Sequence, residues 1–467
     1  MQVPILNGVY TGETADYKIS YPINMVPVIQ NTGISEGYLR PVDGIVQIGI
    51  GPGISRGAIN WNNALYRVMG RKLCSTDRDG TVTIIGDVGT DNKPVTMCYS
   101  FDQLAIASNG NLFYYNGTTL SQVTDPDLGL VLSVVYIDGY FMTTDGEFLV
   151  VTELNDPTSI LPFNYGSSEI DPDPINNVWV IRNEVYAVNR YTIEVFDNVG
   201  GDLFPFQRID GAQIHRGAIG PHCSVVYEET LMFLGSGRNE APGIYMGYNT
   251  QATKISTKEI DEELAGIPEA ELSLAVLEVS NNKGNSFLWV RLQDRTLVFD
   301  MTSSKAAGEP IWHEKVSGTL GNAPYRARDV VYCYDKWQVG DTESPKVGVL
   351  DNTLSTHFGS KSIWEFGTKI IYNDSMGAII NKLELVALTG RFSTEEEPMV
   401  STSYSVDGRL WSQEKYIKAG MFGERLKRLV WWRQGGMRNM RIQRFRGDSN
   451  SYIAISRLEA DIEPLNR

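Results

Sequence analysis

The only histidines of this 467-residue chain are His215, His222, His313 and His357, and none is spaced as HxH or HExxH. A zinc site of known type needs such spacing to bring two imidazoles together, so no metal is expected. No GxSxG turn presents a serine, and no GxxxxGK[ST] loop cradles a phosphate. Gly49-Ile50-Gly51-Pro52-Gly53 is glycine-rich, but Pro52 interrupts it and no phosphate-binding helix follows, which makes it a turn. Paired carboxylates would suit glycoside hydrolysis. The visible clusters, Asp171-Pro172-Asp173-Pro174 and Glu395-Glu396-Glu397, sit among turn residues and read as solvated loops. Cys74, Cys98, Cys223 and Cys333 lie far apart with no CxxC and read as buried, reduced thiols. Neither an enzyme nor a cofactor protein is expected.

One stretch stands apart in composition. Glu424 to Arg446, ERLKRLVWWRQGGMRNMRIQRFR, holds eight basic residues and one acid. Arg425, Arg428, Arg433, Arg438, Arg441 and Arg444 are interleaved with Trp431, Trp432 and Phe445, the pairing that protein interfaces and nucleic-acid surfaces both enrich. A turn at Gln434-Gly435-Gly436 would make it a hairpin with its arginines lined up on one face at period two. Three readings are open: an interface with an acidic protein surface, a DNA contact, or a solvent-facing basic hairpin.

The elements that would position these residues are strands. Val95–Thr124 reads as a meander of short strands with Asn109-Gly110 and Asn116-Gly117 as hairpin signals. Such a meander exposes an apolar face unless it stacks on others like itself. Similar units begin near residues 58, 95, 131, 176, 222, 272 and 328, with spacings of 36 to 56 residues. That rhythm predicts an all-β fold: a β-propeller of about seven blades, six being possible, over 56–358. Two β-sandwiches are the rival architecture. Longer strands after 359 predict an antiparallel β-sandwich over 359–467, carrying the basic hairpin. Residues 1–55 are rich in proline and apolar anchors, which predicts an extended arm packed on the body or on a neighbouring subunit. Helix is expected only at Glu259–Ala265 and Glu269–Leu274. The formal charge of −15 is uneven: 361–467 carries 17 Lys/Arg against 13 Asp/Glu, and 1–360 carries 24 against 43. An acidic body repels DNA, which argues against DNA wrapping. No apolar stretch reaches the roughly 18 residues of a membrane span. The opening residues lack a basic region followed by an apolar run, so no secretion signal is expected.

Read residue by residue, the N-terminus resembles the packaged-DNA stabilisation family, the tail hub or nozzle proteins of short-tailed, tailspike-bearing bacteriophages. The resemblance is carried by Ala15-Asp16-Tyr17, Tyr21-Pro22-Ile23-Asn24-Met25, Gly37-Tyr38-Leu39-Arg40 and Ser55-Arg56-Gly57. Leu65-Tyr66-Arg67-Val68, Leu297-Val298-Phe299-Asp300 and Arg428-Leu429-Val430-Trp431 extend it along the chain. It implies a homohexameric ring in the virion tail, assembled in the host cytoplasm, that extends the DNA channel below the portal and adaptor rings. It further implies retention of the packaged genome, surfaces for tailspikes and for the needle or plug, and passage of DNA without sequence-specific binding. Within that picture Tyr17, Tyr21, Pro22, Ile23 and Met25 are candidate subunit contacts, and the arginine-rich segment a candidate partner interface. The alternative is a host-surface glycan-binding or glycan-cleaving propeller.

Overall fold

The computed structural model describes the chain apart from residues 12–15, 169, 202, 249, 322, 392–396, 448–451 and 466–467. Seven antiparallel sheets follow one another along the chain. Their first strands are Ser55–Trp61, Thr96–Tyr99, Ser133–Ile137, Ile175–Ile181, Ser224–Tyr227, Val276–Asn282 and Ala327–Cys333. Each of these strands contacts the next, and Ala327–Cys333 returns to Ser55–Trp61. The sheets therefore close into a circle of seven blades, and the propeller rather than the paired sandwich is the fold.

Short-range chemistry explains the regularity. In six blades the first and second strands are joined by two residues: Asn62-Asn63, Asp138-Gly139, Arg182-Asn183, Glu228-Glu229, Lys283-Gly284 and Tyr334-Asp335. Both residues of every pair have φ between 45° and 90°. This is the type I′ geometry whose twist matches that of the flanking strands. Asn109-Gly110 forms the same turn, with φ of 52° and 74°. Asn116-Gly117 differs. It lies in a four-residue turn, where Asn116 Oδ1 accepts from the backbone N–H groups of Thr118 and Thr119.

The seventh blade is completed from the other end of the chain. Its strands Ala327–Cys333, Lys336–Asp341 and Lys346–Asp351 take Gly44–Ile50 as outer strand, with Lys346 opposite Ile50 and Asp351 opposite Gly44. A circular fold is held shut by such a shared sheet, because an open last blade would leave an unpaired edge. The expectation of one arm over 1–55 is corrected accordingly. Gly44–Ile50 belongs to the propeller, while Gln2–Val3, Met25–Val28 and Tyr38–Pro41 join a sheet of the C-terminal domain.

That domain is a sandwich. One sheet runs Met25–Val28, Tyr38–Pro41, Ala454–Pro464, Ala378–Leu388, Leu429–Met437; the other runs Trp364–Gly367, Met440–Gly447, Met399–Ser405, Lys415–Lys418. Between them Trp364, Phe366 and Phe445 stack in series, with Trp431, Leu383 and Ile455 filling the core. Helix is scarce: α1 is Lys258–Ala265, α2 Glu269–Leu272 and α3 Met301–Ala307. The third was not expected, although Asp300 caps it by accepting from Ser303 N at 2.8 Å and Gly308 ends it at φ 75°. No helix among the described residues is long and apolar enough to cross a membrane.

Candidate functional site

The basic segment does not form the expected hairpin. Leu429–Met437 pairs with Ala378–Leu388, whereas Met440–Gly447 pairs with Trp364–Gly367 and Met399–Ser405. Gln434-Gly435-Gly436 lies within a strand, and the chain passes from one sheet to the other at Arg438-Asn439. A β-bulge sets Arg433 and Gln434 opposite the single residue Asn381, with Arg433 at φ 55°. Period-two alternation therefore breaks, and the arginines divide into two groups.

The first group serves the sandwich itself. Arg441 is fully buried, donates to Gln434 O at 2.7 Å and Gln443 Oε1 at 3.1 Å, and lies 3.8 Å from the Tyr404 ring centroid. Burial lowers its pKa to about 10. Arg444 stacks 4.3 Å from Trp411 and donates to Ser403 Oγ at 3.2 Å. Arg428 grips Glu384 with two bonds of 2.6 Å. That contact, with Lys382, holds the Glu384 carboxyl at about 2. Trp431 is buried and donates to Lys415 O at 2.9 Å.

The second group faces solvent. Arg425, Arg433 and Arg438 are exposed and have no side-chain partner among the described residues. Arg433 lies with Trp432, 66% exposed, on Leu429–Met437, the strand that forms one edge of its sheet. Arg438 follows that strand directly, and Arg425 precedes it with Leu426 at 94% exposure and Phe422 at 59%. An exposed edge strand with apolar and cationic side chains is a surface suited to docking.

The candidate contacts near the N-terminus lie inside the chain, Tyr17 excepted. Tyr21 packs on the core that blades 4 to 6 share, and its hydroxyl hydrogen-bonds Thr257 Oγ1. Pro22 O accepts from Glu314 N at 2.8 Å, and Met25 is fully buried in the sandwich core. Ile23 bridges Glu314 of blade 6 and Glu365 of the sandwich. Asn24, at φ 53°, does most of the joining. Its Nδ2 donates to Val316 O at 2.9 Å and to Ile363 O at 2.6 Å, and its Oδ1 accepts from Val316 N at 3.1 Å. The segment is a strap between domains. Asn24 was not singled out from the sequence, although an asparagine between two apolar pairs is the type most ready to take a left-handed conformation. Tyr17 alone of the five is exposed, at 63%.

At the propeller axis the seven first strands enclose a cavity of about 810 Å³. Tyr99, Tyr136, Trp179 and Tyr227 line it near the C-terminal ends of those strands, and Arg56, His222, Glu278 and Asp329 elsewhere. The charges are mutually engaged. Arg56 bonds Asp91 at 2.6 Å and the carbonyls of Lys93, Gly70 and Gly89. Burial opposes ionisation of Asp329, yet Arg328 and Arg67 hold its carboxyl below the usual range. Burial raises Glu278 despite Arg291 at 3.7 Å. Neither of these two carboxylates was picked out from the sequence.

The remaining candidates are structural. Burial holds His222 at about 4 and His357 at about 3, and His313 well below its ordinary value. Asp171 binds Arg238, and Asp173 accepts from the backbone of Tyr191 and Thr192. The four cysteines are free thiols, and burial raises the Cys74 thiol to about 11 and that of Cys223 to about 12. Glu395 and Glu396 lie outside the described residues. Among the described residues no cluster of His, Cys, Asp and Glu could hold a metal ion.

The family described as "Bacteriophage P22 Gp10, beta-propeller" matches residues 1–355, and "Bacteriophage P22 Gp10, beta-sandwich" matches 363–463. The chain belongs to the P22 Gp10 family. A curated relative, the tail hub protein gp10 of Salmonella phage P22, is 25% identical over 486 residues, spanning 99% of each chain. Solved structures similar to this Gp10-family chain include the WD40 domain of Neurospora crassa Pan2. It is 9% identical, covers 66% of this chain and 95% of its own, and has a TM-score of 0.43. PorZ of Porphyromonas gingivalis is 10% identical over 81% of this chain and 46% of its own, at a TM-score of 0.40. The family assignment rests on the sequence matches.

Proposed function

We propose that this protein is a structural component of a phage tail, a hub ring below the portal and adaptor that extends the DNA channel and retains the packaged genome. Six copies form the ring, and their outer surfaces receive tailspikes and the needle or plug. The observation that carries this reading is the collinear match, over 99% of both chains, to the P22 tail hub protein.

Charge fits such a role. With 43 acidic against 24 basic residues, positions 1–360 form a body along which DNA slides without sticking. The exposed edge bearing Arg425, Trp432, Arg433 and Arg438 docks on an acidic protein surface, where cations speed association and aromatic area anchors it. Arg441 and Arg444 act behind that edge by holding the sandwich together, Arg428 braces it from the surface through Glu384, and exposed Tyr17 is left for contact with a neighbouring copy. A closed ring needs two different, complementary faces on each subunit.

The test is the mass of the purified protein by light scattering, alone and mixed with a portal–adaptor complex. The expected result is a monomer at micromolar concentration that adds as six copies to the complex. Failure to associate with any portal–adaptor assembly would overturn the reading, and a stable hexamer without a partner would overturn assembly on a template.

A further inference from the structure

Where blades 6 and 7 meet the N-terminal segment lies a narrow, partly open cavity of about 20 Å³. That is room for one occupant of about the size of a water molecule. Arg40 and Asp43 reach it from the N-terminal segment, and Trp289, His313 and Lys315 from blade 6. All five are buried, from 0% exposure at Trp289 and His313 to 9% at Asp43. Arg40 Nη1, Asp43 Oδ1, Trp289 Nε1 and both ring nitrogens of His313 lack hydrogen-bond partners among the described residues. Native proteins leave few buried polar atoms unpaired, and here five belong to the walls of one small cavity.

Donors outnumber acceptors in this set. Lys315 has no hydrogen-bond or ion-pair partner among the described residues. Its ammonium is instead boxed by rings, with centroids at 3.8 Å for Trp289, 5.3 Å for Tyr325 and 5.8 Å for Phe287. Three Lys315 N–H groups, Arg40 Nη1, Trp289 Nε1 and one His313 N–H face two acceptors, Asp43 Oδ1 and the other His313 nitrogen. The second Asp43 oxygen is engaged by Asn282 Nδ2. Charge is unbalanced in the same sense. Arg291 and Glu278 pair at 3.7 Å and cancel, which leaves Arg40 and Lys315 against Asp43. A buried charge without a counter-ion is strongly disfavoured.

We propose that this cavity binds a single small monovalent anion of the halide class, held by Lys315, Arg40 and Trp289. A neutral water molecule accepts fewer hydrogen bonds and leaves the charge uncompensated. An anion answers both the donor excess and the charge, and ties the N-terminal segment to the seam where the propeller closes. Burial lowers Lys315 to about 7, with Asp43 and Glu278 opposing and Arg40 and Arg291 reinforcing the shift. Halide affinity therefore falls as pH rises through that region. Tyr325, His313 and His357 nearby have pKa values displaced by burial away from it, whereas burial raises Glu278 towards it.

The experiment uses the full-length protein and bromide as probe. Crystals grown in sodium bromide should show one anomalous peak in the cavity beside Lys315 Nζ. Thermal unfolding in sodium bromide should lie above that in sodium gluconate at equal ionic strength, by about 1 °C for each tenfold of bromide beyond its dissociation constant. Lys315→Met, matched in length and neutral, should melt alike in both salts. A cavity holding only water in the bromide crystals overturns the proposal, whatever the variant does. So do equal melting temperatures of the native protein in the two salts, or a bromide response that persists in Lys315→Met.

Discussion

Replacing Asn24 tests whether one side chain couples the two domains. Asn24 is 3% exposed, and its amide makes three hydrogen bonds: two with Val316 of blade 6 and one with Ile363 at the start of the sandwich. Alanine removes all three and leaves Val316 N–H, Val316 C=O and Ile363 C=O unpaired in a buried site. At a net value of about 1 kcal/mol each, the loss is about 3 kcal/mol. Holding alanine at φ 53° adds about 1 kcal/mol, for a total of about 4 kcal/mol. Glycine relieves the backbone term alone, so Asn24→Gly should lose about 1 kcal/mol less than Asn24→Ala. Asn24→Asp should be worse than alanine at pH 7, because a carboxylate oxygen would face the two carbonyls that Nδ2 now serves. Urea unfolding gives the totals, and hydrogen exchange at Val316 shows whether the junction opens before the rest. A loss below about 1 kcal/mol for Asn24→Ala, with Val316 still protected, would refute the strap as the coupling element.

Glu314, half-buried at the domain junction, has its pKa raised to about 7 chiefly by burial, with Glu263, Asp294 and Glu365 adding repulsion against Arg295. The folded state thus disfavours its charged form, and the native protein gains stability as pH falls from about 7 towards 4.5. Glu314→Gln should stabilise the protein by about 1–2 kcal/mol at pH 8, with no benefit below pH 4.5, as read by unfolding at the two pH values. A Cβ on Gly49 would lie 2.0 Å from Gly80 O, so Gly49→Val should keep the closing strand from seating. Aggregation on gel filtration is expected, and a wild-type elution and melt would count against strand sharing. Arg433→Glu with Arg438→Glu should leave the melt within about 0.5 kcal/mol of wild type, both sites being exposed, while weakening capture by adaptor-bearing heads. Unchanged capture removes that edge from the docking surface. Arg441→Glu, which buries an anion against Tyr404, should instead abolish soluble yield.

The sequence by itself determined the things that depend on neighbours along the chain. Recurring short strands, their Asn-Gly turn signals and the 36-to-56-residue rhythm give a propeller followed by a sandwich, because strand and turn preferences are local. The N-terminal motifs likewise carried the family. Tertiary structure decided what depends on partners hundreds of residues away. Gly44–Ile50 reads as arm until Lys346–Asp351 is beside it, and Tyr21 to Met25 read as subunit contacts until blade 6 and Ile363 surround them. The arginine-rich stretch shows the limit most plainly. Period-two spacing puts its cations on one face only if both halves share a sheet. The bulge at Arg433 and the crossing at Arg438-Asn439 instead send Arg441 into the core and leave Arg433 and Arg438 outside. Lys315 carries no local signal, since its burial comes from rings and charges that only the closed circle brings together.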